Sequence, residues 1–261
     1  MDATRKTWLL HELVRVLAEE RGMDATELLD GRDLWPVFRA LVNTREPLPA
    51  DDELLVLQDE LLQGLLAERG IHAVGEAEPS PTDGRLFLWR GDITTLAVDA
   101  IVNAANSQML GCWVPGHHCI DNAIHTYAGM QLRLACARIM AEQGHEEPTG
   151  QAKVTDAFNL PSKRVIHTVG PIANGFPTAH HRVQLASCYR SCLEAAASEG
   201  LGSLAFCCIS TGIFGFPQKE AAKIAVRTVS GWLDEHDADM TVVFNVFGED
   251  DERIYRELLG L

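Results

Sequence analysis

From residue 85 onward the chain alternates short apolar runs with amphipathic stretches, and this alternation limits the fold more than any other feature. The apolar runs are RLFLW at 85–89, VDAIVN at 98–103, RVIHTV at 164–169, SLAFCCI at 203–209 and TVVFNVF at 241–247. Each has the length and residue types of a buried strand. Between and after them, helical patterning covers about 120–143, 179–199, 218–236 and 250–260. In the second of these Leu185, Cys188, Tyr189, Cys192, Leu193 and Ala196 follow the helical repeat. Strands alternating with helices predict an α/β fold with a largely parallel or mixed sheet covered on both faces.

The first 73 residues differ. Leu10, Leu13, Val14 and Leu17 recur at helical spacing. Further helices are expected over 32–43, with Leu34, Val37, Phe38 and Leu41, and over 52–69, with Leu54, Leu57, Leu61 and Leu65, where Gly70 can cap the end. This reads as an all-helical N-terminal extension docked on the main domain. Residues 74–84, VGEAEPSPTDG, read as a linker.

Charge narrows the function. With 22 basic and 37 acidic residues the net charge is −15, a field that repels nucleic acid but leaves room for a small anion held by local amides. No apolar run approaches the ~20 residues of a membrane helix, and the start of the chain lacks a signal-peptide pattern, so a cytoplasmic protein with no membrane partner is expected. The seven cysteines are then reduced thiols, some of them free to bind metal.

Four motifs carry chemistry. Gly91-Asp92-Ile93-Thr94 follows the first strand, where Asp92 either caps a short helix or accepts an exocyclic amino group. Asn103-Ala104-Ala105-Asn106 ends the second strand, at the carboxyl end where α/β folds place ligands, and Asn106 can hold a sugar hydroxyl without charge. Ser210-Thr211-Gly212-Ile213-Phe214-Gly215-Phe216-Pro217 joins a strand to a helix, and its amides can converge on a phosphate or diphosphate. It has neither the Walker A nor the GxGxxG pattern.

The fourth is the Cys112, His117, Cys119 spacing, Cys-x4-His-x-Cys, in a stretch that Gly111, Pro115 and Gly116 let curl. Two thiolates and an imidazole favour zinc, and three protein ligands leave a fourth position open, as in catalytic sites. His118 is expected to point away. Asp121 and His125 share a helix face directly afterwards, Asp121 as a base or orienter and His125 as a structural residue. Cys188, Cys192, Cys207 and Cys208 lack a matching histidine and are assigned to the core.

GDIT at 91–94, VNAAN at 102–106 and STGIFGFP at 210–217, in this order, resemble the macrodomain, an ADP-ribose-binding three-layer α/β/α module, over about residues 85–261. CWVPGHHCIDNAIH at 112–125 stands where hydrolytic macrodomains carry a Gly-rich run before an Asp-containing helix, and resembles the zinc-dependent subclass of microbes, as does the helical extension. The resemblance implies a mixed sheet of about six strands and one zinc ion per chain. It implies that Asp92 and the Ile93 amide bind adenine, that the Ser210–Gly215 loop (the amides of Thr211 to Phe214, and Gly215) holds the diphosphate, that Asn106 binds the distal ribose and that Phe247 packs on the adenosine. Cys112, His117 and Cys119 would hold zinc beside that ribose. Two thiolates cancel the charge of the ion, so an added base is useful. Asp121 is the candidate for it, and Asn106 and Asp121 form the expected catalytic pair. The activity implied is zinc-dependent removal of mono-ADP-ribose from protein side chains, through an Asp or Glu ester. In bacteria the subclass is linked to a lipoyl carrier protein modified by a sirtuin-type transferase. A reader that binds ADP-ribose without hydrolysis, its zinc only shaping the loop, is the alternative.

Overall fold

The computed structural model describes residues 1–261. It opens with four helices: α1 (Ala3–Glu19), α2 (Ala25–Leu29), α3 (Leu34–Asn43) and α4 (Asp52–Arg69). Each follows an aspartate (Asp2, Asp24, Asp33 and Asp51) whose carboxylate accepts a first-turn backbone N–H. That satisfies an amide left unpaired by the helix and puts negative charge at its positive end. Leu9, Leu13, Leu17, Phe38 and Leu61 are fully buried in a core that the helices share with Met130 of the main domain. The short α2 was not expected from the sequence.

The remaining elements are β1 (His72–Ala73), β2 (Glu78–Pro79), β3 (Leu86–Arg90), β4 (Leu96–Ala97), β5 (Ala100–Ala105), α5 (Ile120–Ala128), α6 (Met130–Gln143), β6 (Ala152–Asp156), β7 (Arg164–Val169), α7 (Ala179–Ser198), β8 (Ser203–Phe206), α8 (Gln218–Glu235), β9 (Thr241–Val246) and α9 (Glu249–Leu259). The main sheet has seven strands in the order β2-β3-β9-β8-β5-β7-β6. Its five central strands are parallel, and β2 and β6 run antiparallel at the two edges. Strands β5, β7 and β9 are buried nearly throughout, as the centre of a sheet covered on both faces must be. α7, α8 and α9 pack side by side in one layer, and α5 and α6 form the other with the N-terminal helices against them. No helix is long and apolar enough to cross a membrane.

Two expectations are corrected, and one strand is added. Residues 74–84 are folded rather than a linker: Val74–Glu76 forms a 3-10 turn, β2 pairs with β3, and Ala77 and Ser80 are buried. The helix expected over 120–143 is two helices. Gly129 breaks it at φ +99°, and a Cβ there would lie 2.6 Å from Gln58 Nε2. Gln58 of α4 reaches in to accept the Met130 amide at 2.8 Å, so α6 is capped by a residue 72 positions earlier. Finally, β6 adds an antiparallel edge strand whose single strongly buried residue, Thr155, gave no apolar run to read.

Parallel pairing sets the carboxyl ends of β3, β9, β8, β5 and β7 along one rim. Arg90 is in register with Val246, Phe206 with Phe244 and Ala105 with Val169. The loops that follow these strands therefore line one cleft, where α/β sheets bind ligands.

Candidate functional site

At the β3 end, Asp92 caps the 3-10 turn Ile93–Thr95. Its Oδ1 accepts from the Thr94 amide at 3.0 Å and the Thr94 hydroxyl at 2.7 Å. Its Oδ2 accepts from Arg69 Nη1 at 2.8 Å. Ile93 is buried. Phe247 follows β9 and is 79% exposed. The β3–β9 register sets it abreast of Gly91, whose amide donates to Val246 O at 3.0 Å.

Next along the rim, after β8, comes the 210–217 loop. Ser210 and Gly215 both take φ +65°. The Phe216 amide donates to Ser210 O at 2.9 Å, and the Gly215 amide closes a turn onto Gly212 O at 2.9 Å. The Thr211 amide reaches Cys208 O at 3.5 Å. The amides of Gly212, Ile213 and Phe214 have no main-chain acceptor and suit an anion; Gly215 serves the turn instead. Ser210 Oγ is buried without a partner. The sequence showed no sign that residues 173–175 would zip onto this loop. The amides of Ala173 and Asn174 donate to Phe214 O, at 2.8 and 3.0 Å, and that of Gly175 to Gly215 O at 2.7 Å.

After β5, Asn103, Asn106 and Asp121 meet. Asn103 Nδ2 donates to Asp121 Oδ1 at 2.8 Å, and Asn106 Nδ2 donates to Gly111 O at 3.0 Å and approaches Asp121 Oδ2 at 3.4 Å. Burial pushes the Asp121 carboxyl up to about 6, against the Asn103 hydrogen bond and the Arg133 charge, which pull it down. His125 Nε2 lies 3.6 Å from Asp121 Oδ1. His125 belongs to a buried group with Cys136 and His167, and its ring fills the space left by the missing Cβ of Gly111. Burial holds His125 neutral, well below the usual imidazole range. No local pattern marks the His125–His167 pair, because His167 sits in a strand with no motif around it.

Cys112, His117 and Cys119 bring their ligand atoms within 4.8 Å of one another. Cys112 Sγ is 3.5 Å from His117 Nδ1. Cys119 caps α5, its Sγ accepting the Asn122 amide at 3.4 Å. Burial pushes the Cys119 thiol up to about 12, so a neighbouring cation is what would hold it as thiolate. Two sulfurs and an imidazole at these separations fit a zinc ion. His118 is exposed and lies outside the group. Cys188, Cys192 and Cys207 are buried and Cys208 half-buried, all free.

The segment 112–125 is gripped from outside the α/β unit. Arg39 of α3 donates from Nη2 to Asn122 Oδ1 at 2.8 Å and His117 O at 3.3 Å. Asn43 exchanges hydrogen bonds with Asn122 and Thr126 at 2.9 Å each. Arg133 donates to Val42 O at 3.1 Å and Arg45 O at 2.7 Å and lies over the Trp113 ring at 4.4 Å.

The Macro domain family model matches residues 102–225. A protein named protein-ADP-ribose hydrolase in Treponema medium is 50% identical over 258 residues, covering 98% of each chain. Among solved structures, a mutant Oceanobacillus iheyensis macrodomain with ADPR aligns at TM-score 0.62 and 42% identity, over 67% of this chain and 91% of that one. The Trypanosoma brucei macrodomain in complex with ADP-ribose aligns at TM-score 0.66 and 30% identity, over 85% of this chain and 95% of that one.

Proposed function

The chain belongs to the macrodomain family, and from that premise we propose that it is a zinc-dependent hydrolase that removes mono-ADP-ribose from protein side chains joined through an aspartyl or glutamyl ester. The observation that carries this reading is the convergence of Cys112, His117 and Cys119 in one loop that runs directly into the helix holding Asp121 against Asn103 and Asn106. Relatives named for ADP-ribose hydrolysis support the reaction, and macrodomains solved with ADP-ribose support the ligand.

In this reading adenine lies by Asp92, Ile93 and Phe247, and the diphosphate lies on the amides of Gly212, Ile213 and Phe214. These contacts deliver the distal ribose to Asn106, so binding energy from the nucleotide positions the bond to be cut. When bound, zinc on Cys112, His117 and Cys119 would supply Lewis acidity at that end. Asp121 accepts a proton from the attacking water as the C–O bond between ribose and acceptor breaks, and the acceptor leaves as a carboxylate. Asn103 and Asn106 keep the Asp121 oxygens aimed. The partner in this reading is a mono-ADP-ribosylated lipoyl carrier protein.

The test is release of ADP-ribose from a carboxylate-linked mono-ADP-ribosylated protein, with metal quantified on the same sample, for native protein, chelated protein and Cys119→Ala. Release should fall at least about 100-fold without metal while free ADP-ribose still binds. Binding without release at full zinc content would make the protein a reader.

A further inference from the structure

The N-terminal helices reach the nucleotide end of the cleft through one side chain. Arg69, the last residue of α4, donates from Nη1 both to Asp92 Oδ2 at 2.8 Å and to Thr94 Oγ1 at 2.9 Å. The Thr94 hydroxyl, accepting from Arg69, turns its own proton to Asp92 Oδ1 at 2.7 Å, the oxygen that also accepts the Thr94 amide. A carboxylate has about four acceptor positions. Three are used within the chain: two on Oδ1 and one on Oδ2. One remains, on Oδ2, and the side chain is 37% exposed, so an incoming N–H can reach it.

Arg69 is itself fixed. Its guanidinium lies 3.6 Å from the centroid of the Tyr127 ring, and Trp35 of α3 stacks on the same ring at 5.7 Å. A guanidinium fixed by stacking, with one nitrogen donating to both Asp92 and Thr94, sets the direction of the carboxylate. Nothing local to Gly91-Asp92-Ile93-Thr94 supplies this, since the donor comes from 23 residues away in another structural unit.

We propose that Arg69 is a positioning residue that determines base specificity: it orients the Asp92 carboxylate with one acceptor position left, matched to one exocyclic amino N–H, so the site selects an amino-purine nucleotide. The inference rests on the reading of the cleft as an ADP-ribose site. It gives the helical unit a part in ligand choice and not merely in stability.

The test compares binding of ADP-ribose with its 6-deamino analogue, by calorimetry on the full-length, zinc-loaded protein. The ratio of the two dissociation constants reads the single amino contact, and general damage to the site leaves that ratio unchanged. The native protein should favour ADP-ribose by about tenfold, the value of a hydrogen bond to a charged group. Arg69→Met should shrink the ratio to about twofold, and Arg69→Lys, which keeps the charge but not the stacked fork, should fall between. Asp92→Ala should abolish the preference. An Arg69→Met protein with the native ratio overturns the proposal and leaves Arg69 as a brace for the helices. If Asp92→Ala keeps the preference, the amino group is read elsewhere and the proposal falls while ADP-ribose binding stands. If the native protein binds neither ligand, the reading of the cleft fails as well.

Discussion

The loop at 210–217 and the segment at 111–125 close neighbouring parts of one cleft, but different bonds hold them. The first is fixed by main-chain hydrogen bonds to itself and to residues 173–175, all within the α/β unit. The second is fixed by side chains: Asn103 and Asn106 from inside, Arg39 and Asn43 from the helical unit. Main-chain bonds form with almost any side chains, so the first loop depends mainly on where glycine permits its turns. A side-chain network fails when one member changes, because the partners left behind are buried and unpaired. The segment at 111–125 should therefore break at many positions and the loop at 210–217 at few.

The largest effect is expected at Gly111. It sits at φ +77°, and a Cβ there would lie 2.8 Å from His125 Cγ. Gly111→Val should reduce zinc affinity and ADP-ribose release by at least about 100-fold, from left-handed strain plus overpacking, while ADP-ribose affinity stays within about threefold. Metal titration beside calorimetry checks both halves. A matching collapse of ADP-ribose binding would show that the two parts of the cleft are one unit.

Acid should separate them next. His167 is fully buried, and burial lowers its pKa to about 3. Its Nδ1 meets Asn103 Nδ2 at 3.1 Å and its Nε2 meets Thr155 Oγ1 at 3.0 Å, so the neutral ring accepts from Asn103 and donates to Thr155. The unfolded chain takes up this proton below about pH 6.5 and the folded chain refuses it until about 3. The contribution is whole above that window and is lost as pH falls. At pH 5 the loss is about 2 kcal/mol. The drop in stability from pH 7 to 5, measured by urea unfolding, should be smaller in His167→Gln by that amount. An equal drop in both proteins would assign the acid sensitivity to other groups.

These differences also decide what could be read in the sequence. The strands at 164–169 and 241–247 and the helices at 179–199 and 218–236 were legible because burial leaves an apolar run on a strand covered on both faces and a period on a helix. The clustering of Cys112, His117 and Cys119 was legible because the three lie within eight residues of one another. The break at Gly129 left only a lone glycine inside a helical pattern as its sign, and the Gln58 side chain that caps α6 there comes from another unit. The occupation of Asp92 by Arg69, the zipping of 173–175 onto Phe214 and Gly215, and the pairing of His125 with His167 were not legible. Each needs two segments distant in sequence to meet, and a local pattern carries no record of that. Taken alone, GDIT reads first as a cap, and the structure shows Asp92 capping the turn while also accepting from Arg69.

Arg39 tests the outside grip at smaller scale. Arg39→Ala removes the donor to Asn122 Oδ1 and His117 O without touching a candidate ligand side chain. Supporting residues of this kind change metal affinity by about tenfold, and zinc competition against a chromogenic chelator should show that shift with ADP-ribose binding unchanged. Native zinc affinity in the variant would mean that Asn103, Asn106 and the segment's own turns suffice.

Gly215 gives the smallest effect and the sharpest control, because it belongs to the other half. It takes φ +65°, and a Cβ would lie 3.1 Å from Gly175 N and 3.2 Å from Asn174 Cα. Gly215→Ala therefore costs about 1–2 kcal/mol for a side chain in the left-handed region, and presses on the strand-like contact with 173–175. The turn closed by the Gly215 amide should loosen, and the amides of Gly212, Ile213 and Phe214 should lose alignment. ADP-ribose affinity should fall about fivefold, within the range set by that strain, with zinc content and zinc affinity native. Measured beside Gly111→Val, the two substitutions form a crossed pair: the same kind of change at two positive-φ glycines, one moving the metal and the other the nucleotide. If Gly215→Ala weakens zinc binding as much as it weakens ADP-ribose binding, strain passes between the loops through the ends of β8 and β5, and the division between a main-chain half and a side-chain half is lost.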